Sequence, residues 1–183
     1  EILSVATEVG KSTAAFNLSS SEILGMSAAL KSLGARPESA GTSIGKTFRT
    51  IESAVNNGGQ ELKDFSKLTG MSAENLEKNL SEKPNKVFTS LIKGLQSVKS
   101  NGGSVSTELE KLGLTGEGIA KTLTPLASNF EMLTDSSNMA SDAFEKNTAL
   151  NKENDAASKT VSTALQDVSS SFNNVLLGST ATN

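Results

Sequence analysis

Apolar residues recur at intervals of three and four along most of the chain, the period of amphipathic helices packed on one another. From Glu1 to about Ala15, Ile2, Val5, Ala6 and Val9 share one face. Ser19 and Glu22 have the spacing of a capping box, in which each side chain satisfies the other residue's free backbone N–H. Ile23, Met26, Leu30 and Leu33 follow at helical spacing, and Gly34 is a natural stop. Pro37 suits a first helical turn, where its missing N–H costs nothing. Ile44, Phe48, Ile51 and Val55 continue that helix as far as Asn57-Gly58-Gly59. Leu62, Phe65 and Leu68 mark a short helix closing at Gly70, and Ser72 caps another that reaches about Ser81. Pro84 opens a helix with a broad stripe of Phe88, Leu91, Ile92, Leu95 and Val98, ended by Asn101-Gly102-Gly103. Val105, Leu109 and Leu112 precede Gly113. Ile119, Leu123 and Leu126 then lead on to Phe130 and Leu133, with Pro125 a point of kinking or tightening.

From about Asp135 the character changes, because Gly and Pro vanish until Gly178. Val161, Leu165, Val168, Phe172 and Val175 step by four, three, four and three, a heptad spacing. The expectation is a single helix of roughly 40 residues, about 60 Å long. A small bundle cannot cover such a seam, so these five residues are the candidate self-association surface, and a homo-oligomer through this helix is expected. No segment alternates strictly enough for a strand. The fold class is therefore all-α: an irregular multi-helix bundle over residues 1–134, then a long C-terminal helix over 135–183 with partial coiled-coil heptads. Residue 1 already reads as mid-helix, so the chain is expected to be a segment of a longer protein.

Composition narrows the chemistry. Only 36% of the residues are hydrophobic, and the aromatics are seven Phe with no Trp or Tyr. The core is therefore thin and built from Leu, Ile, Val, Ala and Phe. There is no Cys and no His, which excludes disulfides, thiolate zinc sites and imidazole bases. Net charge is −3 with the cations scattered, so no basic stripe tracks a phosphate backbone and direct nucleic-acid binding is not expected. No apolar run approaches the roughly 18 residues of a membrane span. No cofactor is expected.

Several short motifs have plainer readings. Ala40-Gly41-Thr42-Ser43-Ile44-Gly45-Lys46-Thr47 matches a permissive phosphate-binding loop. Such a loop needs a buried strand before it, and Ser32 to Ser39 contains Gly34 and Pro37 instead. Ile44 and Phe48 place the segment inside a helix, so the favoured reading is a small-residue helix packed closely on a neighbour. The pairs Glu108/Glu110 and Glu74/Glu77 sit beside Lys111 and Lys78 and read as solvated faces rather than acid–base pairs. Serines are abundant, but no base is present to activate one. Asn17-Leu18-Ser19 and Asn79-Leu80-Ser81 are formal glycosylation sequons of little weight in a chain rich in Ser and Asn. The expectation is a non-enzyme.

The order of particular segments adds to this picture. Met26 through Thr42, with its Ala-Leu-rich helix, Gly34, Glu38 and Ala40-Gly41-Thr42, resembles the conserved core of phage tail tape measure proteins. Phe65 through Glu74 resembles that family's second signature, and Leu112-Gly113-Leu114-Thr115-Gly116 its third. Ala149 through Glu153 resembles the start of the long helix after the core. The resemblance spans about residues 19 to 178, and departs locally at Ser43 to Lys46, where Gly and Ser are richer than in the family. It implies a helical chain in the lumen of a phage or prophage tail tube. There it sets tail length during assembly and leaves ahead of the DNA at infection, reaching the host cell envelope. The implied partners are the tail tube protein, tail assembly chaperones and tail-tip or baseplate hub proteins. It carries over no catalytic residue. The competing reading is a helical adhesin or secreted effector segment, which requires an outward apolar patch for a host protein.

Overall fold

A computed structural model describes residues 1–153, with side chains through 147. All regular structure among the described residues is helical: α1 (Ile2–Ser12), α2 (Ser20–Ser32), α3 (Pro37–Asn57), α4 (Gly59–Thr69), α5 (Ala73–Glu82), α6 (Pro84–Ser100), α7 (Val105–Lys111), α8 (Glu117–Ser128) and α9 (Phe130–Glu153). The seam residues Val161, Leu165, Val168, Phe172 and Val175 lie outside the described residues.

The helix starts obey local chemistry. Ser19 accepts from the Glu22 N–H while Glu22 Oε2 accepts from the Ser19 N–H at 2.7 Å, closing the capping box at α2. Ser72 and Ser104 cap α5 and α7 by accepting from the Asn75 and Thr107 N–H groups, without the reciprocal bond, and Pro37 and Pro84 open α3 and α6. Two boundaries depart from the sequence expectation. α1 ends at Ser12 rather than near Ala15, because Thr13 folds its hydroxyl back onto the Val9 carbonyl and leaves helical geometry. The apolar line from Ile119 to Leu133 is not one helix. α8 runs through Pro125 as far as Ser128, and the chain breaks at Asn129, whose φ of −129° is not helical and whose side-chain amide donates to the Pro125 carbonyl at 2.9 Å. The last helix then begins afresh at Phe130, before Asp135, and continues without a break through it.

The main core runs through the middle of the bundle, joining α3 (Ile44, Phe48, Ile51), α6 (Phe88, Leu91, Ile92, Leu95) and α8 (Leu123, Leu126), with Phe65 and Leu76 brought in by α4 and α5. Phe48 is its pivot, with ring centroids 5.0 Å from Phe16 and 5.7 Å from Phe88. A smaller cluster of Ile2, Ala6, Leu24, Ala28 and Ala140 ties α1, α2 and α9 together. α2 is the most enclosed helix, with every residue from Leu24 to Leu30 buried. α1 covers one of its sides and α9 another.

A chain so poor in large hydrophobics fills its interior partly by bringing backbones together. A Cβ on Gly41 would lie 2.7 Å from the Glu8 carbonyl carbon, and one on Gly45 would lie 2.8 Å from the Ser12 carbonyl oxygen. α3 therefore seats α1 along a groove made of missing side chains. Gly25 does the same for α2 and α9, where a Cβ would lie 2.7 Å from Ser137 Cα. Gly94 of α6 meets the Leu68 carbonyl of α4. Close approach of this kind maximises dispersion contact between small surfaces.

Candidate functional site

The phosphate-loop-like segment lies in the interior of α3, not in a loop before a helix. Gly41 and Gly45 are occupied by α1, Ser43 and Thr47 are buried, and Lys46 Nζ donates 2.8 Å to the Thr115 carbonyl in the α7–α8 turn. The buried hydroxyls are satisfied within the protein. Thr47 donates to the Ser43 carbonyl at 2.8 Å, and Thr122 of α8 shares its one hydroxyl hydrogen between the Gly118 carbonyl at 2.8 Å and Ser43 Oγ at 3.1 Å. No backbone N–H there is free to hold an anion, so the small residues serve packing.

The acidic pairs are on the surface. Glu74, Glu77 and Lys78 are exposed on α5. Glu108 is held by Lys111 at 2.9 Å, and this bond and charge raise the Lys111 ammonium above the usual lysine range. Glu117 is bonded by Lys121 at 2.6 Å, and Glu1 by Lys31 at 2.7 Å. In each case the lysine's hydrogen bond, then its charge, lowers the carboxyl from its ordinary value. Lys121–Glu117 is exposed on both sides and of the kind that contributes little to stability, whereas Glu108 and Lys31 are half-buried. Asn17 lies exposed in the α1–α2 connection, and Asn79 is in α5 with its amide donated to the Asn75 carbonyl. Among the described residues, no group of three or more acidic, His or Cys side chains is placed to hold a metal ion, and no helix is long and apolar enough to cross a membrane.

The segments carrying the family resemblance fall at equivalent places in the fold. Met26–Thr42 spans the α2–α3 corner, Phe65–Glu74 the α4–α5 corner, and Leu112–Gly116 the α7–α8 corner. Each turns on a glycine of positive φ: Gly34 at 78°, Gly70 at 69° and Gly113 at 69°. At two of them the chain closes in the same way. The Ala35 N–H bonds to the Leu30 carbonyl at 3.0 Å and the Leu114 N–H to the Leu109 carbonyl at 2.9 Å, the six-to-one bond of a Schellman ending. Leu30, Leu109 and Leu114 are all buried, so the corner is also an apolar clasp.

Two surface features were not found from sequence. Three helices bring Lys67, Lys93 and Lys111 to one groove of about 780 Å³ between α4, α6 and α7. Their convergence is tertiary and leaves no local pattern. The exposed face of α9 carries Glu131, Asp135, Asp142 and Glu145. Their helical spacing is present in the sequence, in a stretch whose apolar periodicity is weak. Through residue 147, no Leu, Ile, Val, Met or Phe is fully exposed, although several, Phe16, Met132, Met139 and Phe144 among them, are half-buried.

No family of known proteins matches the chain, and neither does any curated protein or solved structure.

Proposed function

We propose that this chain is a non-catalytic structural segment of a phage tail tape measure protein. It works in the lumen of the tail tube, contributing to tail-length determination during assembly and to genome ejection into the host. The observation that carries the reading is the recurrence described above. Three segments resembling the family's signatures occur in family order, and each occupies a helix–glycine–helix corner. Such segments are constrained by packing, not by catalysis. The partners on this reading are tube subunits, tail assembly chaperones and the tail-tip or baseplate hub.

The surface suits the role. A chain enclosed by a tube and later expelled must not adhere to the wall, and exposed apolar side chains would make it do so. The adhesin or effector alternative needs an outward apolar patch, and no large apolar side chain is fully exposed in residues 1–147. Within the proposed role, the helical bundle is a locally folded unit and not the ruler, since a uniform rod does not turn at Gly34, Gly70, Gly102 and Gly113. Its edge lies beyond residue 134, because α9 packs on α2 through Ser137 and Ala140.

The test is an in-frame deletion of residues 1–134 from the parent gene, with tail lengths measured by electron microscopy and particle composition by mass spectrometry. The chain is expected inside purified particles, and the tails are expected to shorten by far less than the roughly 200 Å that a continuous helix of this length would span. Shortening in full proportion would overturn the folded-unit assignment. Absence of the chain from purified particles would overturn the tail reading itself.

A further inference from the structure

Two charged surfaces of opposite sign lie on the described structure, with most of their charges in no ion pair among the described residues. The groove between α4, α6 and α7 is rimmed by Lys67, Lys93 and Lys111, with Glu108 the only acid lining it and Leu68 and Val98 half-buried in its floor. The helix dipole accounts for Lys67 and Lys111, which stand in the last turns of α4 and α7. It does not account for Lys93, in the middle of α6. Lys111 is paired with Glu108, whereas Lys67 and Lys93 reach no carboxylate among the described residues.

The second surface is the outer face of α9. Glu131, Asp135, Asn138, Asp142 and Glu145 are all exposed, and at 3.6 residues per turn they fall within roughly 40° of one line. The acidic ridge they form is about 21 Å long. The opposite face, with Leu133, Ser136 and Ala140, is buried. None of the four carboxylates is in an ion pair among the described residues. The dipole favours Glu131 in the first turn of α9, and the exposed Lys146 stands one turn beyond Asp142. The like-charge pairs Glu131/Asp135 and Asp142/Glu145 nonetheless each cost about 0.2–0.5 kcal/mol, which a cationic partner relieves.

We propose that the groove is a docking site for the acidic ridge of α9 on a second copy of this chain. Charge complementarity selects the occupant: a row of carboxylates on a rigid helix meets lysines contributed by three helices, over a floor apolar enough to exclude some water. The two patches differ, so the contact is heterologous, and its repetition gives a ring or a head-to-tail row of copies. This pairing does not depend on the tail assignment, and it is separate from the heptad seam at residues 161–175.

The experiment is sedimentation of the full 183-residue chain at low and moderate salt, with charge reversal on either side and on both. The unaltered chain is expected to associate with concentration and to weaken as salt rises. K67E/K93E and D135K/D142K are each expected to weaken association by roughly ten-fold, and their combination to restore it, since the reversed charges again complement one another. Circular dichroism checks that each variant keeps its helix content. If K67E/K93E loses helix, the neutral K67Q/K93Q takes its place, with a weaker loss expected. A chain that stays monomeric at all concentrations overturns the proposal. Association that ignores both reversals, or double reversal without recovery, does so as well. Lysine-dependent binding of an anionic polymer such as polyglutamate by a chain that remains monomeric would give the groove to a different partner, and so overturns it too.

Discussion

The α1–α3 seam and the α2–α3 corner both depend on glycine, for opposite reasons. At the seam Gly41 and Gly45 have ordinary helical backbone and no room, because α1 occupies the space a Cβ would need. At the corner Gly34 has ample room, with nothing within 4 Å of a Cβ, but a φ of 78° that strains any residue bearing one. One residue type thus solves a packing problem in one place and a turning problem in the other. The seam compensates for a shortage of large apolar side chains, whereas the corner fixes the direction in which the next helix leaves.

The sharpest way to break this distinction is to fill the seam. Gly41→Val should destabilise the bundle by about 3 kcal/mol, since its Cβ would meet the backbone of Glu8, which cannot rotate away. Val is only slightly better than Gly as a helix former, so propensity offsets little of this. Urea unfolding followed by circular dichroism measures it. An unchanged midpoint would mean that α1 is not seated on α3. Gly25→Ala tests the α2–α9 contact by the same logic, with a loss of about 2 kcal/mol expected as Ser137 is pushed outward.

The corner should respond to shape rather than size. Gly34→Ala is expected to cost about 1–2 kcal/mol, and Gly34→Asn less, because Asn enters the left-handed region more readily. A seam glycine would show the reverse order, with the larger Asn doing more harm. Unfolding midpoints of the two variants, measured side by side, decide which rule governs the site.

These contrasts explain what could be read in the sequence. The helix starts at Ser19, Pro37, Ser72 and Pro84 were legible because a cap involves residues three apart or fewer. The stripes of α3 and α6 were legible because those helices bury one face. α2 was read as a stripe of Ile23, Met26, Leu30 and Leu33. In fact Ile23 and Leu33, at the stripe's ends, are half-buried, while Leu24, Gly25, Ser27, Ala28 and Ala29 are enclosed. Enclosure between α1 and α9 is a property of distant segments and leaves no period in α2 itself. The end of α8 was missed because the apolar spacing continues across Asn129 while the backbone does not. The small-residue packing of Ala40 to Thr47 could be foreseen, but the identity of its partner, α1, could not. Of the surface chemistry, the acidic ridge was present in the spacing, whereas the lysine groove exists only once α4, α6 and α7 have met.

Between the large and small effects lies the polar link across the core. Thr122→Val keeps the volume but removes the donor that reaches Ser43 Oγ, for an expected loss of about 1 kcal/mol. Adding Ser43→Ala should recover part of that loss, since it removes the hydroxyl left short of a partner. Double-mutant unfolding measures the coupling, and strict additivity would show that the two hydroxyls act independently.

The smallest effect tests the seam argument by its sign. Gly10 stands in α1, next to the residues that Gly41 and Gly45 receive, yet a Cβ there would find only Ile23 Cδ1 at 3.9 Å, an ordinary contact with a movable side chain. With no backbone to displace, helix propensity alone decides. Gly10→Ala should therefore stabilise the protein by about 0.5–1 kcal/mol, partly by lowering the entropy of the unfolded chain. If Gly10→Ala destabilised as Gly41→Val does, α1 would be closed in on every side and the seam would not be its only tight face. If it stabilises, tolerance in this bundle is set by what a glycine faces, and α1 is held along the one line where its backbone meets α3.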